Sequence, residues 1–188
     1  MGVQFKKNGT VSMNNLRESD GMNLLTNSEK YTAGSPYVVT GTGSDIIATT
    51  DMYCQITPGE TYYLIAESNP GWADGHGYTD ARKGKGIIWL YLSKVYNPDS
   101  TGYDSPVSFG TASSTKIRDG VWKYTIPSEY NMARIRLNTY SNGTDSVTCK
   151  FWNVKLIPEK YYTTHLNDSS PALKVGKDSI VSTEIYEI

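Results

Sequence analysis

The side chains best suited to chemistry in this sequence are rings and guanidinium groups that alternate with aliphatic residues along two short segments. Because side chains of a β-strand alternate between its two faces, Trp89 and Tyr91 share one face of the first segment, opposite the aliphatic residues. The second segment places Arg134, Arg136 and Asn138 together in the same way. Flat rings stack on the C–H faces of sugars, and sugar hydroxyl groups take charged or amide partners. If the two segments share a sheet, they predict a polar aromatic surface that binds saccharide.

A long Gly-rich segment, residues 68–85, carries a second group of polar and aromatic side chains. Long ordered loops of this kind are often functional, and the tyrosine-bearing segment 95–109 has a similar composition. We predict that both loops border the surface, while Trp122 and Trp152 belong to the core. The candidate carbohydrate-binding residues are Trp72, Asp74, His76, Tyr78, Trp89, Tyr91, Arg134, Arg136 and Asn138.

No catalytic motif accompanies these residues. The chain has two histidines, His76 and His165, and it lacks the nucleophile elbow, the paired-histidine zinc motif and the phosphate-binding glycine loop. A carboxylate pair for glycoside hydrolysis is defined in space and not by spacing, so a hydrolase stays an alternative. Most of the acidic residues lie in or beside turns, where a solvated cap is their ordinary role. We therefore predict no catalytic residues and no enzyme.

Charge and composition exclude several classes of partner. The chain has 18 basic and 19 acidic residues, and no run of Lys or Arg exceeds two. Nucleic-acid binding needs a concentration of positive charge that is missing here. No stretch approaches the ~20 apolar residues of a membrane span, and the N-terminus lacks the pattern of a secretory signal. The two cysteines, Cys54 and Cys149, are expected to be buried thiols, although a bridge between them stays open.

Short apolar runs, separated by clusters of Gly, Asn, Asp, Ser and Pro, predict that these residues sit in an all-β protein. Thr57–Glu60 contains Pro-Gly and predicts a turn between two strands. Ser141–Asp145 contains Asn-Gly and predicts a hairpin whose two strands are neighbours in one sheet. The predicted strands are 38–40, 45–50, 52–56, 61–67, 86–93, 120–126, 132–140 and 146–157.

The two ends of the chain contain similar segments, residues 7–14 and 177–184, which share Lys, Val and Ser at matching positions. A repeated connector would make the chain one module of a longer series. The polar, turn-rich segment 167–171 predicts a boundary after the main domain. We therefore divide the chain into an N-terminal connector strand (1–21), a β-sandwich (22–162), and a linker with the start of the next connector (163–188).

Five motifs, in their order and spacing, resemble carbohydrate-binding modules of the jelly-roll type in tail and baseplate proteins of phages that infect Gram-positive bacteria. The resemblance extends from about Met22 to Leu156, most of the chain. It implies a two-sheet jelly-roll β-sandwich that binds polysaccharide on its concave face or loop rim. The motifs are Gly21–Ser28, Ile56–Leu64, Trp89–Ser93, Ala133–Tyr140 and Phe151–Leu156.

The resemblance also implies a setting and partners. The module would belong to a virion, outside the host cell, and would bind host cell-wall or surface saccharide during adsorption, beside other modules of the same tail protein. Many relatives hold a structural calcium ion with an Asp of the last strand, where this chain reads Trp152-Asn153; no metal residue is assigned, and a structural calcium stays an open alternative. Two alternatives remain: an accessory binding module of a secreted polysaccharide-degrading enzyme, and a structural spacer of a tail fibre.

Overall fold

The computed structural model describes residues 23–97, 99, 105–108 and 114–162, and of 105–108 only the backbone. These residues lie within the predicted sandwich, 22–162. The predicted connector strands, 1–21 and 163–188, and the two similar segments within them lie outside the described residues.

Almost all the regular structure is β-strand. A 3-10 turn at Ser28–Lys30 precedes the strands, another at Asp80–Arg82 interrupts the longest loop, and a one-turn helix, Glu159–Tyr162, follows the last strand. The strands are Tyr37–Gly41 (β1), Ile46–Gln55 (β2), Thr61–Asn69 (β3), Gly86–Ser93 (β4), Ser105–Ser108 (β5), Ser114–Arg118 (β6), Val121–Thr125 (β7), Met132–Thr139 (β8) and Val147–Pro158 (β9).

The strands form two antiparallel sheets that pack face to face. One sheet has five strands in the order β1-β9-β3-β7-β6, and the other has four in the order β2-β8-β4-β5. The prediction of an all-β, two-sheet sandwich is therefore confirmed. The jelly-roll assignment and the connector strands stay predictions.

The core lies between the sheets and follows the alternation of each strand. In β4 the side chains of Ile88, Leu90 and Leu92 are fully buried, as the alternation predicts. The other sheet contributes Trp122 and Phe151, which are also buried, so Trp122 lies in the core as predicted. The two cysteine thiols are buried and unpaired. Among the described residues, no helix has the length and apolar character to cross a membrane.

The predicted hairpin between β8 and β9 is wrong, because the two strands lie in different sheets. Gly143 has the positive φ (84°) that its turn requires. The Asn142 side-chain oxygen accepts hydrogen bonds from the backbone N–H groups of Thr144 (2.9 Å) and Asp145 (2.8 Å). This capped turn sits within a longer connection, which carries the chain from one sheet across to the other instead of folding it back onto its neighbour.

A β-bulge in β9 overturns the prediction that Trp152 is a core residue. Between the pairs Ile65–Lys155 and Glu67–Trp152, β9 contains one residue more than β3, and Asn153 there has a φ of 52°. An extra residue reverses the alternation of the strand. Trp152 consequently turns to the outer surface, where its Nε1 donates to a carboxylate oxygen of Glu67 (2.9 Å).

Two further differences concern strands that the sequence did not predict. The expected loop 95–109 contains β5, which pairs with the outer edge of β4. Strand β6 pairs with β7 at the edge of the larger sheet. A third difference is that the segments 45–50 and 52–56, predicted as two strands, form the single strand β2, with an irregularity between Thr49 and Tyr53.

Burial makes the sandwich sensitive to alkali. Desolvation raises the pKa of Cys54 and Cys149 from 9.0 to about 12, and it also raises the pKa of Tyr124. A raised folded-state pKa gives stability that is complete below the unfolded-state pKa and is lost as the pH approaches the folded value. We expect the free energy of unfolding to fall from about pH 9 towards pH 12, each thiol adding up to about 1.4 kcal/mol per pH unit. Urea denaturation across this range measures the fall.

The matched control is a variant in which both cysteines are replaced by alanine. Its stability should decline less steeply between pH 9 and 11, because Tyr124 alone of the three groups then remains. An identical slope in both proteins would contradict the assignment to the thiols.

Candidate functional site

The two segments that carry the predicted surface are neighbouring strands. Strand β4 pairs with β8 so that Trp89 lies opposite Arg136, Tyr91 opposite Arg134, and Ile87 opposite Asn138. Because these positions alternate with core residues, their side chains project from the outer face of the four-stranded sheet. The condition on which the surface prediction depended, a shared sheet, is met.

Rings and guanidinium groups contact one another on this face. The guanidinium carbon of Arg136 lies 4.4 Å from the centroid of the Tyr91 ring. The rings of Trp89 and Tyr91 are nearly parallel, at 16°, with centroids 5.7 Å apart. Arg136 is further positioned by its Nε, which donates to the Thr49 hydroxyl (3.1 Å) on β2. The contacts hold these side chains in a defined arrangement.

Strand β2 continues the series beyond the residues that the sequence predicted. The guanidinium carbon of Arg134 lies 4.9 Å from the Tyr53 ring centroid, and the Tyr53 and Tyr96 rings are 6.5 Å apart. Arg134 is only 7% exposed, and its Nη1 donates to the backbone oxygen of Thr50 (3.1 Å). Tyr53 could have been found from sequence, because it alternates with the buried residues Met52 and Cys54.

At the other end of the series, the loop 70–85 covers part of the face. The His76 ring lies 5.7 Å from the Trp89 ring. Ala73, Tyr78 and Tyr140 form an apolar cluster with Ile87 and Trp89. We refer below to the aromatic strip, which consists of Tyr96, Tyr53, Arg134, Arg136, Tyr91, Trp89 and His76.

Arg82 holds this loop in place. Its Nε donates to the backbone oxygen of Asp74, and its Nη1 donates to the backbone oxygens of His76 and Gly77. Gly75 has a φ of 86°, and a Cβ there would lie 2.8 Å from Arg82 Nη2. The loop therefore needs both the arginine and the glycine to present His76 to the strip.

Trp72, although it is one of the nine candidates from the sequence, does not belong to the aromatic strip. Its ring makes a T-shaped contact with Trp122 (4.7 Å between centroids) and lies 5.8 Å from Phe151, so it packs against the core. The neighbouring Ala73 donates its backbone N–H to the Gly86 oxygen (2.9 Å) and packs instead with Ile87. The strand-like pairing of this short segment with β4 sends successive side chains to opposite sides.

Asp74 also points away from the strip. Its carboxylate forms an ion pair with Lys116 (3.0 Å) on β6, at the edge of the larger sheet. The hydrogen bond and charge of Lys116 hold the pKa of Asp74 below its usual value. Because Asp74 is exposed, this pair contributes little to stability, but it links the loop to the second sheet.

The two remaining candidates lie beneath or beside the loop. The Tyr78 hydroxyl donates to Asp80 (2.6 Å), which raises the pKa of Tyr78. Asn138 is fully buried, and its Nδ2 donates to the carboxylate of Asp45. The structure thus brings five of the nine sequence candidates into the strip, places Tyr78 and Asn138 next to it, and separates Trp72 and Asp74 from it.

No protein-family model, curated protein or solved structure matches this chain significantly.

The position at which the resemblance implies calcium does not fit a metal ion. Both carboxylate oxygens of Glu67 accept hydrogen bonds, one from Trp152 Nε1 (2.9 Å) and one from Asn153 Nδ2 (2.6 Å). Calcium requires six to eight oxygen ligands, and the Glu67 carboxylate could serve as one only by giving up these hydrogen bonds. Within the described part of the chain, no group of three or more His, Cys, Asp or Glu side chains could hold a metal.

Proposed function

We propose that this chain is a non-catalytic carbohydrate-binding module that binds polysaccharide on the outer face of its four-stranded sheet. The observation that carries the proposal is the aromatic strip, in which rings and guanidinium groups from β2, β8, β4 and a loop meet on one face. Rings offer the flat apolar surface that sugar C–H groups favour, and the half-buried guanidinium group of Arg136 offers hydrogen-bond donors for sugar oxygens.

The strip combines order with partial exposure. Trp89, Tyr91 and Tyr53 are half-buried, Tyr96 is 41% exposed, and His76 is exposed at the loop tip. Side chains already held by mutual contacts lose little conformational freedom on binding, which favours affinity. We expect weak binding at a single site, which several copies of the module would strengthen through effective concentration.

The setting proposed for this activity is a phage tail, where the module would bind host cell-wall or surface polysaccharide during adsorption. The sequence motifs support this setting, and so does the similarity between segments 7–14 and 177–184, which suits modules in series. The same surface would serve an accessory module of a secreted polysaccharide-degrading enzyme. The genes that neighbour this one distinguish the two settings.

A second candidate function, a structural spacer, is favoured by one observation. The members of the strip contact one another, as Arg136 contacts Tyr91, and Trp89 packs in an apolar cluster with Ile87. In a spacer these contacts would serve stability alone.

Replacement of Trp89 by alanine tests the proposal. We expect binding to Gram-positive cell walls, measured by pull-down and then by titration of solubilised wall polysaccharide, to weaken roughly 30-fold. This corresponds to about 2 kcal/mol, as for the loss of a central aromatic residue from a binding surface.

The matched control is Trp152→Ala, which removes a half-buried tryptophan from the outer face of the other sheet. This variant should bind walls as well as the parent protein does. If neither the parent nor Trp152→Ala binds any wall preparation or arrayed glycan, while Trp89→Ala loses stability, the spacer function is correct.

A further inference from the structure

At the end of the aromatic strip that the loop 70–85 covers, two buried polar atoms have no hydrogen-bond partner among the residues that the structure describes. One is the donor Nε1–H of Trp89, and the other is the acceptor Oδ1 of Asn138. Asn138 is fully buried, and its amide Nδ2 is already used by Asp45. Buried polar groups are nearly always paired, so each of these two atoms needs an explanation.

The two residues are diagonal neighbours on the outer face. In the register of β4 and β8, Asn138 lies opposite Ile87, while Trp89 lies two positions further along β4, opposite Arg136. Diagonal neighbours in adjacent antiparallel strands are about 7–8 Å apart at the backbone, within reach of aromatic side chains. Trp89 packs in the same apolar cluster as Ile87, beside Asn138.

A glycine-flanked loop segment lies over this place. His76, whose ring is 5.7 Å from Trp89, stands between Gly75 (φ 86°) and Gly77 (φ 76°). Arg82 attaches the segment through backbone oxygens, those of Asp74 and His76. Because both atoms are buried, a saccharide group reaches the Trp89 N–H and the Asn138 oxygen only where this segment moves away from the sheet.

The missing partner is defined by its chemistry. One small group that satisfies both atoms must accept a hydrogen bond from Trp89 and donate one to Asn138. A hydroxyl group does both at a single oxygen. A carboxylate or phosphate diester oxygen can only accept, and an ammonium group can only donate.

We propose that Trp89 Nε1 and Asn138 Oδ1 form a subsite that recognises one hydroxyl group of the bound saccharide, with His76 as the ring that closes over it. The inference rests on the proposed function, since it names the group that the same surface recognises. In the aromatic strip the rings bind any sugar face, whereas this subsite distinguishes a sugar with a free hydroxyl at that position from one in which it is absent or substituted.

The Trp89 indole N–H reports directly on the subsite. In 15N-labelled protein the Trp89 indole resonance is assigned by its loss in Trp89→Phe, a variant that keeps an aromatic ring and removes the donor. The probe is a muramidase digest of Gram-positive cell walls. On its addition we expect the Trp89 indole proton to move downfield as it enters a hydrogen bond. Trp89→Phe should bind the digest roughly 2- to 10-fold more weakly, the effect of one neutral hydrogen bond.

The matched control is Trp152→Phe, which removes an indole N–H bound to Glu67 on the other sheet and should bind as the parent does. If Trp89→Phe binds as tightly as the parent while Trp89→Ala binds weakly, the subsite is refuted and the carbohydrate-binding surface stands. A Trp89 indole resonance that does not move when the digest binds the parent protein would also refute the subsite. If no digest binds the parent protein, both proposals fail.

Discussion

Replacing Gly120 by alanine is expected to lower the free energy of unfolding by about 3 kcal/mol or more. Gly120 joins β6 to β7 with a φ of 77°, where a residue other than glycine costs about 1–2 kcal/mol. A Cβ at this position would also lie 2.4 Å from the backbone oxygen of Ala66. That oxygen cannot move freely, because the Ala66 N–H is bound to the Gly120 oxygen (2.9 Å). Overpacking of this kind adds about 1–3 kcal/mol, and urea denaturation measures the sum.

Gly59→Ala is the matched control for this substitution. Gly59 has nearly the same φ, 79°, but a Cβ added there would meet no atom within 4 Å. Its replacement should therefore cost only the conformational part, about 1–2 kcal/mol. Equal losses in the two variants would mean that the close approach of Gly120 to Ala66 does not occur in solution.

The outer face of the four-stranded sheet was predictable from sequence because β4 and β8 pair without interruption. Eight consecutive residue pairs join them, so the alternation of Trp89 with its aliphatic neighbours and that of Arg136 with Ile135 and Leu137 stay in phase. In a regular strand, the alternation of residues in the sequence directly predicts which side chains lie on each face of the sheet.

The alternation of side chains did not predict the faces correctly in β9, because that strand contains a bulge. One extra residue at Asn153 turned Trp152 outward, although its sequence neighbours alternate as core residues do. A bulge of this kind depends on the pairing of two distant strands, and no local pattern reports it. Strand β6 is a different case, since Asp119-Gly120 is a turn signal of the kind that joins antiparallel strands and could have indicated a partner before β7.

Local sequence also does not determine which of the two sheets a strand joins. The Asn-Gly turn at 142–143 was predicted correctly, yet turn chemistry alone does not decide whether the next strand joins the same sheet or the facing one. That choice depends on which apolar faces must be covered, a property of the whole sandwich. The loop 70–85 shows the same limit, since Trp72 within it and Trp89 on the strand that follows it end on opposite sides of the sheet.

Replacing Trp72 by alanine is expected to lower the free energy of unfolding by about 2–3 kcal/mol, less than the loss of a fully buried tryptophan, because Trp72 is half-buried against the core. Its ring fills the space beside Trp122 and Phe151, and its Nε1 lies 3.3 Å from where a Cβ on Gly120 would be. Thermal and urea denaturation measure the loss. Because Trp72 anchors the loop that carries His76, we also expect a modest weakening of wall binding at temperatures where the variant stays folded.

Trp152→Ala is the matched control for Trp72→Ala. The two tryptophans are both half-buried, but Trp72 packs against the core and Trp152 lies on an outer face. Trp152 is bound to the exposed carboxylate of Glu67 on the outer face, so its loss should cost about 1 kcal/mol, the average of single substitutions. The opposite pattern would be informative. If Trp72→Ala kept the stability of the parent and lost wall binding completely, Trp72 would contact saccharide directly, and the loop would have to open away from Trp122 when polysaccharide binds.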